Sequence, residues 1–506
     1  MEEAMDGKQG SSSSSTVKMM VDSSTLHQMF EYITLHKDDY FFTNNNTLPE
    51  EVWFEILVRL PVKSIFKFRS VSKQWLSIVS NPLFKTRRLN ICSSSSSSST
   101  TIRPPLSSTF FFYFDVLSHQ RDSGDLPTPP DFDVIQSISI KQEEDQRSAH
   151  NNNNNNNHDK YPFTFIESST RIHKKGTYYL SASSNGLILL SDKKNYAKYY
   201  LVCNPLNKEW CILPLPGEVL LGENFKQGLI CEESSSSSQS SSANSSSSSS
   251  TVYKVVLIHL ASSTVSDFDI EVFSSDTGEW NYYKVSCPQE IEMCNSLLNS
   301  NNVVTVNGVL YWFEKRSRII AYDLNKSKNN GTTDGGQCRL IDLPNERLKE
   351  KSYCRRLLGE SEGLLCYCQT YSRVEDTLSV WVLEEEEKKE EGSFIGYNWR
   401  LFHKIEWKDM IPENKFEAWF IHQVTHAICN LSMMPLALDP ADRNIVLLGS
   451  IICVVSYNIR TRRLKVIHKV PHHYSRITRT WKYWHYNVFP YLLPPWPTPV
   501  PLPPKP

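Results

Sequence analysis

Apolar residues follow helical spacing in one short part of the chain, residues 48–84, and the pattern predicts three helices. The apolar positions are Val52, Trp53, Ile56, Leu57 and Leu60 in the first helix, Ile65, Phe66 and Phe68 in the second, and Val71, Trp75, Leu76, Ile78 and Val79 in the third. Thr47 and Glu50 fit a capping box for the first helix. Pro61 and Asn81-Pro82 are expected to end the first and third helices, because the residue before a proline avoids helical backbone angles.

Elsewhere the pattern is that of short strands rich in aromatic and β-branched residues. Turn signals such as Asn185-Gly186, Asn307-Gly308 and Glu362-Gly363 separate them. The clearest predicted strands are Phe110–Val116, Tyr178–Ala182, Leu187–Ser191, Tyr199–Cys203, Val252–His259, Phe268–Phe273 and Tyr282–Val285.

A unit of three strands, usually led by a glycine, recurs along this region. Its versions are SSNGLILL with YYLVCNPLNKEWCILPLP; VNGVLYWF, IIAYDL and CRLIDLP; SEGLLCYC, LSVWVL and WRLFHKI; and NIVLLGS, VVSYNI and RRLKVI. One such unit leaves its sheet faces uncovered, and neighbouring units cover them. The repeat therefore predicts a propeller or a similar all-β array, with a β-sandwich as the alternative.

Low-complexity tracts divide the chain, because serine and asparagine runs bury too little apolar surface to offset chain entropy. Serine fills most of Ser93–Ser99 and Ser234–Ser250, and asparagine fills Asn151–Asn157. We expect a disordered segment at 1–42, a helical unit at 43–92, a Ser-rich linker at 93–108, a β region with low-complexity insertions at 109–489, and a Pro-rich tail at 490–506. The tail should populate polyproline II and either be disordered or dock to a partner's aromatic groove.

Composition and motifs narrow the classes of function that the chain can have. The 506 residues carry a formal net charge of −1, which argues against a dedicated nucleic-acid binder. No signal peptide or membrane-length apolar run is found, so we expect a soluble intracellular protein. The 12 cysteines are scattered and are expected to be buried free thiols. Motifs for catalysis, metal or cofactor binding are missing, and His472, His473 and His485 lack partners at ligand spacing.

The predicted helices carry more apolar surface than so small a unit can bury, and a surplus of this kind marks an interface. Their residues resemble the F-box family. The matching positions are Leu48-Pro49, Val52, Ile56-Leu57, Arg59-Leu60-Pro61, Lys63-Ser64-Ile65, Phe68-Arg69, Val71, Lys73 and Trp75. Ser72 stands where many members have Cys. A generic three-helix cap is the alternative interpretation.

The β region resembles the kelch-like, F-box-associated region of many plant proteins. The resemblance is clearest from Cys203-Asn204-Pro205-Leu206 through Trp210 to Leu213-Pro214, and it weakens after Leu343. Asn207 takes the place of the usual Thr. Together the two resemblances imply an α+β multidomain protein, with a small three-helix F-box followed by an all-β propeller-like repeat domain.

The resemblances also imply a function. The chain would be a non-catalytic receptor that binds the Skp adaptor, and through it cullin, in a ubiquitin ligase, while the β region binds a target protein. The residues expected to form or support the adaptor site are Leu48, Pro49, Ile56, Leu57, Leu60, Pro61, Ile65, Val71 and Trp75. No cofactor, metal, nucleic acid or membrane is expected. The alternatives are an F-box scaffold outside ubiquitination and a propeller enzyme with a helical cap.

One more segment has two interpretations. Residues 476–486 interleave aromatic and basic side chains, as in Arg479, Trp481, Lys482 and Trp484. We expect a last strand that packs into the array, and a ligand-binding surface is the alternative.

Overall fold

A computed structural model describes eighteen stretches of the chain. They are residues 49–93, 108–116, 136–139, 163–167, 179–191, 199–216, 225–234, 250–260, 264–293, 303–314, 317–325, 337–344, 353–372, 377–386, 396–425, 433–450, 453–469 and 484–501. The segment expected to be disordered at 1–42, the asparagine run and most of the serine tracts lie outside these residues, as do Thr47, Leu48 and residues 476–483.

Within the described residues, the N-terminal unit has four helices, whereas three were expected. They are α1 (Glu50–Leu57), α2 (Val62–Phe68), α3 (Lys73–Ser80) and α4 (Pro82–Ser93). Pro82 was expected only to stop a helix. Instead it opens α4, where a missing N–H is not needed for a helical hydrogen bond. The Asn81 side chain supports this start by accepting a hydrogen bond of 3.0 Å from the N–H of Leu83.

The start of α1 also differs from the expected capping box. Pro49 is its N-cap and makes no side-chain cap bond, so Glu50 is the first helical residue rather than the third. The backbone carbonyl of Pro49 accepts hydrogen bonds from the N–H groups of Val52 and Trp53, at 3.1 and 3.2 Å. Pro61 caps α2 in the same way, through bonds from Ser64 and Ile65.

The rest of the described chain is almost entirely β-structure. The first twelve strands are β1 (Ser108–Val116), β2 (Gln136–Ser139), β3 (Tyr179–Ser184), β4 (Leu187–Ser191), β5 (Tyr200–Asn204), β6 (Glu209–Ile212), β7 (Phe225–Ser234), β8 (Ser250–His259), β9 (Thr264–Ser274), β10 (Glu279–Glu292), β11 (Val304–Val306) and β12 (Val309–Phe313). The second twelve are β13 (Arg318–Asp323), β14 (Gln337–Asp342), β15 (Tyr353–Ser361), β16 (Leu364–Ser372), β17 (Thr377–Glu386), β18 (Gly396–Glu406), β19 (Ile411–Pro412), β20 (Met434–Leu438), β21 (Ile445–Gly449), β22 (Cys453–Asn458), β23 (Arg463–Lys469) and β24 (Trp484–Leu492). Two short helices, α5 (Thr164–Glu167) and α6 (Lys415–Thr425), and a 3₁₀ turn at Trp407–Asp409 complete it.

Within the described residues, the strands form six sheets arranged as a propeller. Blades 1 to 5 have the strand orders β3-β4-β5-β6, β7-β8-β9-β10, β11-β12-β13-β14, β15-β16-β17-β18 and β20-β21-β22-β23-β19, written from the inside out. The sixth sheet has three strands, β24-β1-β2. The innermost strands contact one another in sequence, from β3 to β20, and β24 contacts both β20 and β3. This closed ring confirms the predicted propeller-like array and excludes the β-sandwich.

The sixth sheet joins the two ends of the β region. β1 pairs antiparallel with β24 along its whole length, from Ser108 opposite Leu492 to Val116 opposite Trp484. Residues 484–486 therefore belong to a last strand, as one interpretation of the aromatic–basic segment predicted.

The innermost strands all end on one side of the ring, which we call the turn face. Type I′-like turns with positive φ at both residues follow β3, β11 and β15, at Asn185-Gly186, Asn307-Gly308 and Glu362-Gly363. Hydrogen bonds join neighbouring innermost strands: Ser183 Oγ donates to the carbonyl of Pro490, Thr305 Oγ1 to that of Leu229, and Ser361 Oγ to that of Asp439. Sequence reasoning found these turns and the strands after them, but among the innermost strands it missed β7, β11, β15 and β20.

The core lies between the blades. An apolar cluster fills each gap between neighbouring sheets around the ring. Their largest fully buried side chains include Trp312, Trp407 and Tyr322. Successive side chains of a strand point to opposite faces of its sheet, and both faces contribute to these clusters. The repeat therefore has no face that is polar throughout.

Candidate functional site

The four N-terminal helices, which resemble an F-box and are called the F-box below, have a small core of their own. Its buried residues are Leu57, Val58, Leu60, Ile65, Ile78, Val79, Phe84 and Ile91. Ser72, the departure from the usual Cys, is the N-cap of α3, and its Oγ accepts a hydrogen bond of 3.1 Å from the N–H of Trp75. Serine at this position therefore supports the helix that carries Trp75.

Three apolar residues of this unit face solvent. Val71 is 47% exposed, Leu76 41% and Leu83 68%. They lie just before α3, on α3 and at the start of α4. Exposed apolar side chains concentrated on so small a unit are characteristic of a binding surface.

Two groups of aromatic rings account for the apolar surplus that the sequence shows. Trp75 contacts Trp53 and Phe68, with ring centroids 5.2 and 5.1 Å apart, and all three are half-buried. In the second group, Phe84 lies 5.2 Å from Phe54 and 5.9 Å from Trp496, which comes from the end of the chain. The surplus is thus divided between a partly open aromatic group and a contact within the same chain.

The residues predicted for the adaptor site fall into two sets. Ile56, Leu57, Leu60 and Ile65 are buried. Pro49, Pro61, Val71 and Trp75 are exposed or half-buried, and Leu48 lies outside the described residues. The first set can support a binding surface only by packing beneath it, whereas the second can touch a partner.

Sequence reasoning did not select Leu76 and Leu83 for the site. Leu76 was assigned to the third helix as an ordinary apolar position, and Leu83 follows the proline that was taken as a helix stop. Helical spacing alone could not have found them, because Leu76 lies three residues before the buried Val79 and Leu83 directly precedes the buried Phe84.

The F-box packs against the propeller at the turn face. Lys63 Nζ donates a hydrogen bond of 2.8 Å to Oγ1 of Thr109 at the start of β1. Burial, with a contribution from Lys67, lowers the pKa of Lys63 to about 8. Val62 and Phe66 join the apolar cluster that includes Phe111, Leu190 and Tyr491 of the propeller.

The end of the chain strengthens this junction. We call residues 493–501 the C-terminal strap. Arg88, buried in α4, donates hydrogen bonds to the carbonyl oxygens of Pro495, Val58 and Leu60, at 2.5, 2.7 and 2.7 Å. Trp496 lies against Phe66 and Phe84, with ring centroids 5.9 Å apart in both pairs.

The same strap is held on blade 1. Thr498 Oγ1 donates to the carbonyl of Asn185 at 2.6 Å, and Asn204 Nδ2 donates to the carbonyl of Thr498 at 2.7 Å. At Gly186, where φ is +79°, an added Cβ would lie 2.7 Å from Cγ of Pro494, so only glycine fits there. The strap thus bridges the F-box and blade 1.

These contacts correct the expectation of a disordered or partner-docked Pro-rich tail from residue 490. Residues 490–492 belong to β24, and residues 493–501 are ordered against aromatic and amide groups of the same chain. Proline favours an extended backbone, so the sequence predicted polyproline II for the tail. This preference does not show where the tail docks.

A cavity of about 430 Å³ lies in the middle of the ring, lined by the six innermost strands. Among the described residues, no group of three or more His, Cys, Asp or Glu side chains is placed to hold a metal ion. No helix in the described part of the chain is long and apolar enough to cross a membrane.

The described cysteines are free thiols, and six of the ten are buried. Two cysteines that lie far apart in the sequence are close in the fold, because Sγ of Cys287 in β10 and Sγ of Cys338 in β14 are 3.5 Å apart. Arg318 lies nearby and binds the buried Glu314 through hydrogen bonds of 3.1 and 3.3 Å.

Comparisons with known proteins agree with this architecture. An F-box domain model matches residues 46–87, and the model described as "F-box protein At3g26010-like, beta-propeller" matches residues 136–487. The chain therefore belongs to the F-box proteins with an At3g26010-like β-propeller.

Arabidopsis thaliana relatives resemble the chain over most of its length. F-box protein At5g03970 is 25% identical over 464 residues, which cover 88% of this chain and 87% of that protein. F-box protein At3g26010 is 22% identical, with coverages of 84% and 80%, and the putative F-box/kelch-repeat protein At4g22430 is 24% identical, with coverages of 83% and 81%. Among solved structures, AofleA from Arthrobotrys oligospora is 12% identical with a TM-score of 0.27, covering 58% of this chain and 70% of its own.

Proposed function

We propose that this chain is the substrate-recognition subunit of a Skp–cullin–F-box ubiquitin ligase. The F-box binds the Skp adaptor, and through it cullin, while the propeller binds a target protein. The chain itself contributes no catalytic group, since its task is to position the target. The observation that carries the proposal is the exposed apolar surface of Val71, Leu76 and Leu83 on a unit of the F-box family.

The surface of the F-box offers exposed apolar side chains and large aromatic rings, which are both common in protein-binding sites. Leu76 and Leu83 are apolar groups that lose water on binding, and each buried leucine is worth about 1.5–3 kcal/mol. Next to Val71, the half-buried group of Trp75, Trp53 and Phe68 supplies large rings of the kind that dominate binding energy. Buried Ile56, Leu57, Leu60 and Ile65 hold the helices in place beneath it.

The placement of the F-box favours target binding away from its junction with the propeller, at the opposite end of the ring or at the outer edge of a blade. The F-box and the C-terminal strap cover part of the turn face. Each innermost strand ends at the turn face, so its first residue lies at the other end of the ring. The described contacts between the F-box and the propeller lie at the turn face, so the rest of the propeller surface can face a target while the F-box holds the adaptor.

The test is capture of a purified Skp adaptor by the full chain. The variants Leu76→Asp and Leu83→Asp should weaken adaptor affinity at least tenfold without lowering the thermal midpoint, because both side chains are exposed in the free protein. Leu215→Asp is the matched control, since Leu215 is a 60% exposed leucine on the propeller and should leave capture unchanged. The double change Leu48→Ala with Pro49→Ala should also weaken capture.

The outcomes separate a binding role from a structural one. Ile65→Ala should lower the thermal midpoint, because Ile65 is fully buried. Undiminished capture by both aspartate variants would refute the adaptor surface. Ligase function is then tested by the half-life of a captured target in cells, which should lengthen when Leu83→Asp replaces the normal chain.

A further inference from the structure

The C-terminal part of the chain is strongly basic. After Asp442, the remaining 64 residues contain ten Lys and Arg and no Asp or Glu, although the formal net charge of the whole chain is −1. In the described residues, these cations are densest in blade 5, on β23 and the turn before it. They are Arg460, Arg462, Arg463, Lys465 and Lys469.

These five cations are not neutralised by the described part of the chain. None of them has a described carboxylate oxygen within 4.0 Å, and four of the five side chains are exposed. The exposed carboxylates on the adjoining residues 406–415 are Glu406, Asp409 and Glu413, and Glu406 is paired with Lys408, so cations remain in excess. The outer edge of blade 5 therefore has a positive field that a partner can use.

Apolar side chains lie along the same edge. Ile411, which is 48% exposed, pairs with Arg463. At the other end of β23, Lys469 Nζ lies 3.9 Å from the ring centroid of Phe416, and Phe416 contacts Trp419, which is 48% exposed. A half-exposed tryptophan next to unpaired cations combines an apolar anchor with charge.

Helix α6 is fixed to the strand by a buried carboxylate. Glu417 in α6 accepts hydrogen bonds from the N–H groups of Val466, Glu413 and Asn414, at 2.8, 2.6 and 3.0 Å. Because three N–H groups bind its carboxylate, the buried Glu417 fixes the orientation of α6, and it adds one carboxylate beside the five cations. Trp419 is thus held at a set position relative to β23.

We infer that this edge, formed by Ile411, Phe416, Trp419, Arg463, Lys465 and Lys469, binds an acidic segment of the target protein that carries an aromatic or apolar residue. The inference rests on the proposed receptor function and assigns the chemistry of the target. Carboxylates of the segment meet the cations of β23, and its apolar residue packs on Trp419. The apolar members and the flanking carboxylates favour a peptide over a nucleic acid, whose backbone repeats one charge at every step.

The test uses full chain in complex with the Skp adaptor and measures fluorescence polarisation of labelled probes at physiological ionic strength. The first probe is a short peptide of Asp and Glu with two Phe residues. The second has Asn and Gln in place of the acids, and the third is a single-stranded oligonucleotide of equal length. We expect the acidic peptide to bind at least tenfold more tightly than either of the others.

Variants locate the site. Arg463→Glu and Lys465→Glu should each weaken binding of the acidic peptide about fivefold, because the reversed charge repels its carboxylates. Trp419→Ala should weaken it about tenfold. Lys208→Glu is the matched control, because Lys208 is an exposed cation of blade 1 without a described carboxylate partner, and it should leave affinity unchanged.

Two results would overturn the inference while leaving the receptor proposal standing. The first is a chain that captures the adaptor but does not bind the acidic peptide, or that loses as much peptide affinity in Lys208→Glu as in Arg463→Glu and Lys465→Glu. The other is tighter binding of the oligonucleotide, which would identify the edge as a nucleic-acid surface. Failure of the wild-type chain to capture the adaptor would instead refute the proposed function.

Discussion

Arg88 in α4 donates a hydrogen bond of 2.5 Å from Nε to the carbonyl oxygen of Pro495, 407 positions further along the chain. Burial lowers the pKa of the Arg88 guanidinium to about 10, and within the described residues its hydrogen-bond acceptors are all backbone carbonyls. The F-box is thereby coupled to the last residues of the chain, which are themselves bound to blade 1. A receptor gains from this, because a fixed junction limits the positions that a bound target can take.

Trp496→Ala should loosen the junction. The change removes ring contacts with Phe66 and Phe84 and should lower the free energy of unfolding by about 2 kcal/mol, since Trp496 is only partly buried. Limited proteolysis should then cut the chain between the F-box and β1 more quickly. Pro499→Ala, an exposed neighbour in the same strap, is the control and should behave like the wild type. Equal cutting rates for all three proteins would show that the strap does not hold the F-box.

The serine tract should be dispensable for folding. Ser234 at the end of β7 pairs with Ser250 at the start of β8, so residues 235–249 only connect two strands that are already neighbours. Replacing them with Asn-Gly, the favoured two-residue hairpin turn, should keep the thermal midpoint unchanged or raise it slightly, because a shorter loop costs less closure entropy. Thermal unfolding and adaptor capture measure this. A fall of more than a few degrees would mean that the tract takes part in packing.

The sequence patterns predicted the features that depend on residues close together in the chain. The apolar spacing of Ile56, Leu57 and Ile65 predicted the F-box core, and Asn185-Gly186 and Asn307-Gly308 predicted hairpin turns that the structure confirms. The innermost strands were harder to find. β11 has three residues, and in β20 a register irregularity falls between Pro435 and Ala437, so neither offers a long alternating pattern.

Contacts between distant residues could not be predicted from one sequence. Nothing in the spacing of Arg88 and Trp496 shows that they meet, because that depends on the ring closure that brings β24 beside β1. Of the F-box residues that can touch a partner, the sequence predicted the exposed Val71 and the half-buried Trp75. Leu83 was missed because its helix was not expected, and exposure is a property of the packed unit rather than of the residue type.

Asp439 should make stability depend on pH. This buried residue joins blade 5 to the neighbouring sheet, because its carboxylate accepts a hydrogen bond of 2.8 Å from Oγ of Ser108 in β1. Burial is the largest influence, and it raises the pKa of Asp439 from 3.8 to about 6. The folded state therefore holds the proton more tightly than the unfolded state. The contribution of this group is fully present below pH 4 and is lost as the pH rises through about 6, by about 2–3 kcal/mol.

Two variants check the sign. Relative to the wild type, Asp439→Asn should gain stability between pH 4 and pH 7, because asparagine does not ionise. Ser108→Ala should lose stability over the same range, since ionised Asp439 then loses one of its hydrogen-bond donors and keeps the N–H of Ala441. The measurement is the free energy of unfolding by denaturant at several pH values. Parallel curves for the three proteins would show that Asp439 does not titrate in this range.

Cys287 and Cys338 should form a disulfide under mild oxidation. Their Sγ atoms are 3.5 Å apart, on the outer strands of blades 2 and 3. The hydrogen bond from Cys338 is the main cause that lowers the pKa of Cys287, and the Arg318 charge also lowers it, so Cys287 is the better nucleophile. A diazene dicarboxamide oxidant would accept the two electrons and two protons that the thiols release, and an S–S bond would form.

The oxidised protein should resist unfolding more strongly, because the new bond closes a loop between residues 51 positions apart. We expect a gain of about 3–4 kcal/mol from the restricted unfolded chain. Peptide mass spectrometry should find the 287–338 linkage, and Cys287→Ser should abolish both the linkage and the gain. Cys366→Ser is the control, since Cys366 is buried in another blade and its variant should still form the linkage. Oxidation without a gain in stability would mean that the blades must shift to bring the two sulfur atoms into bonding distance.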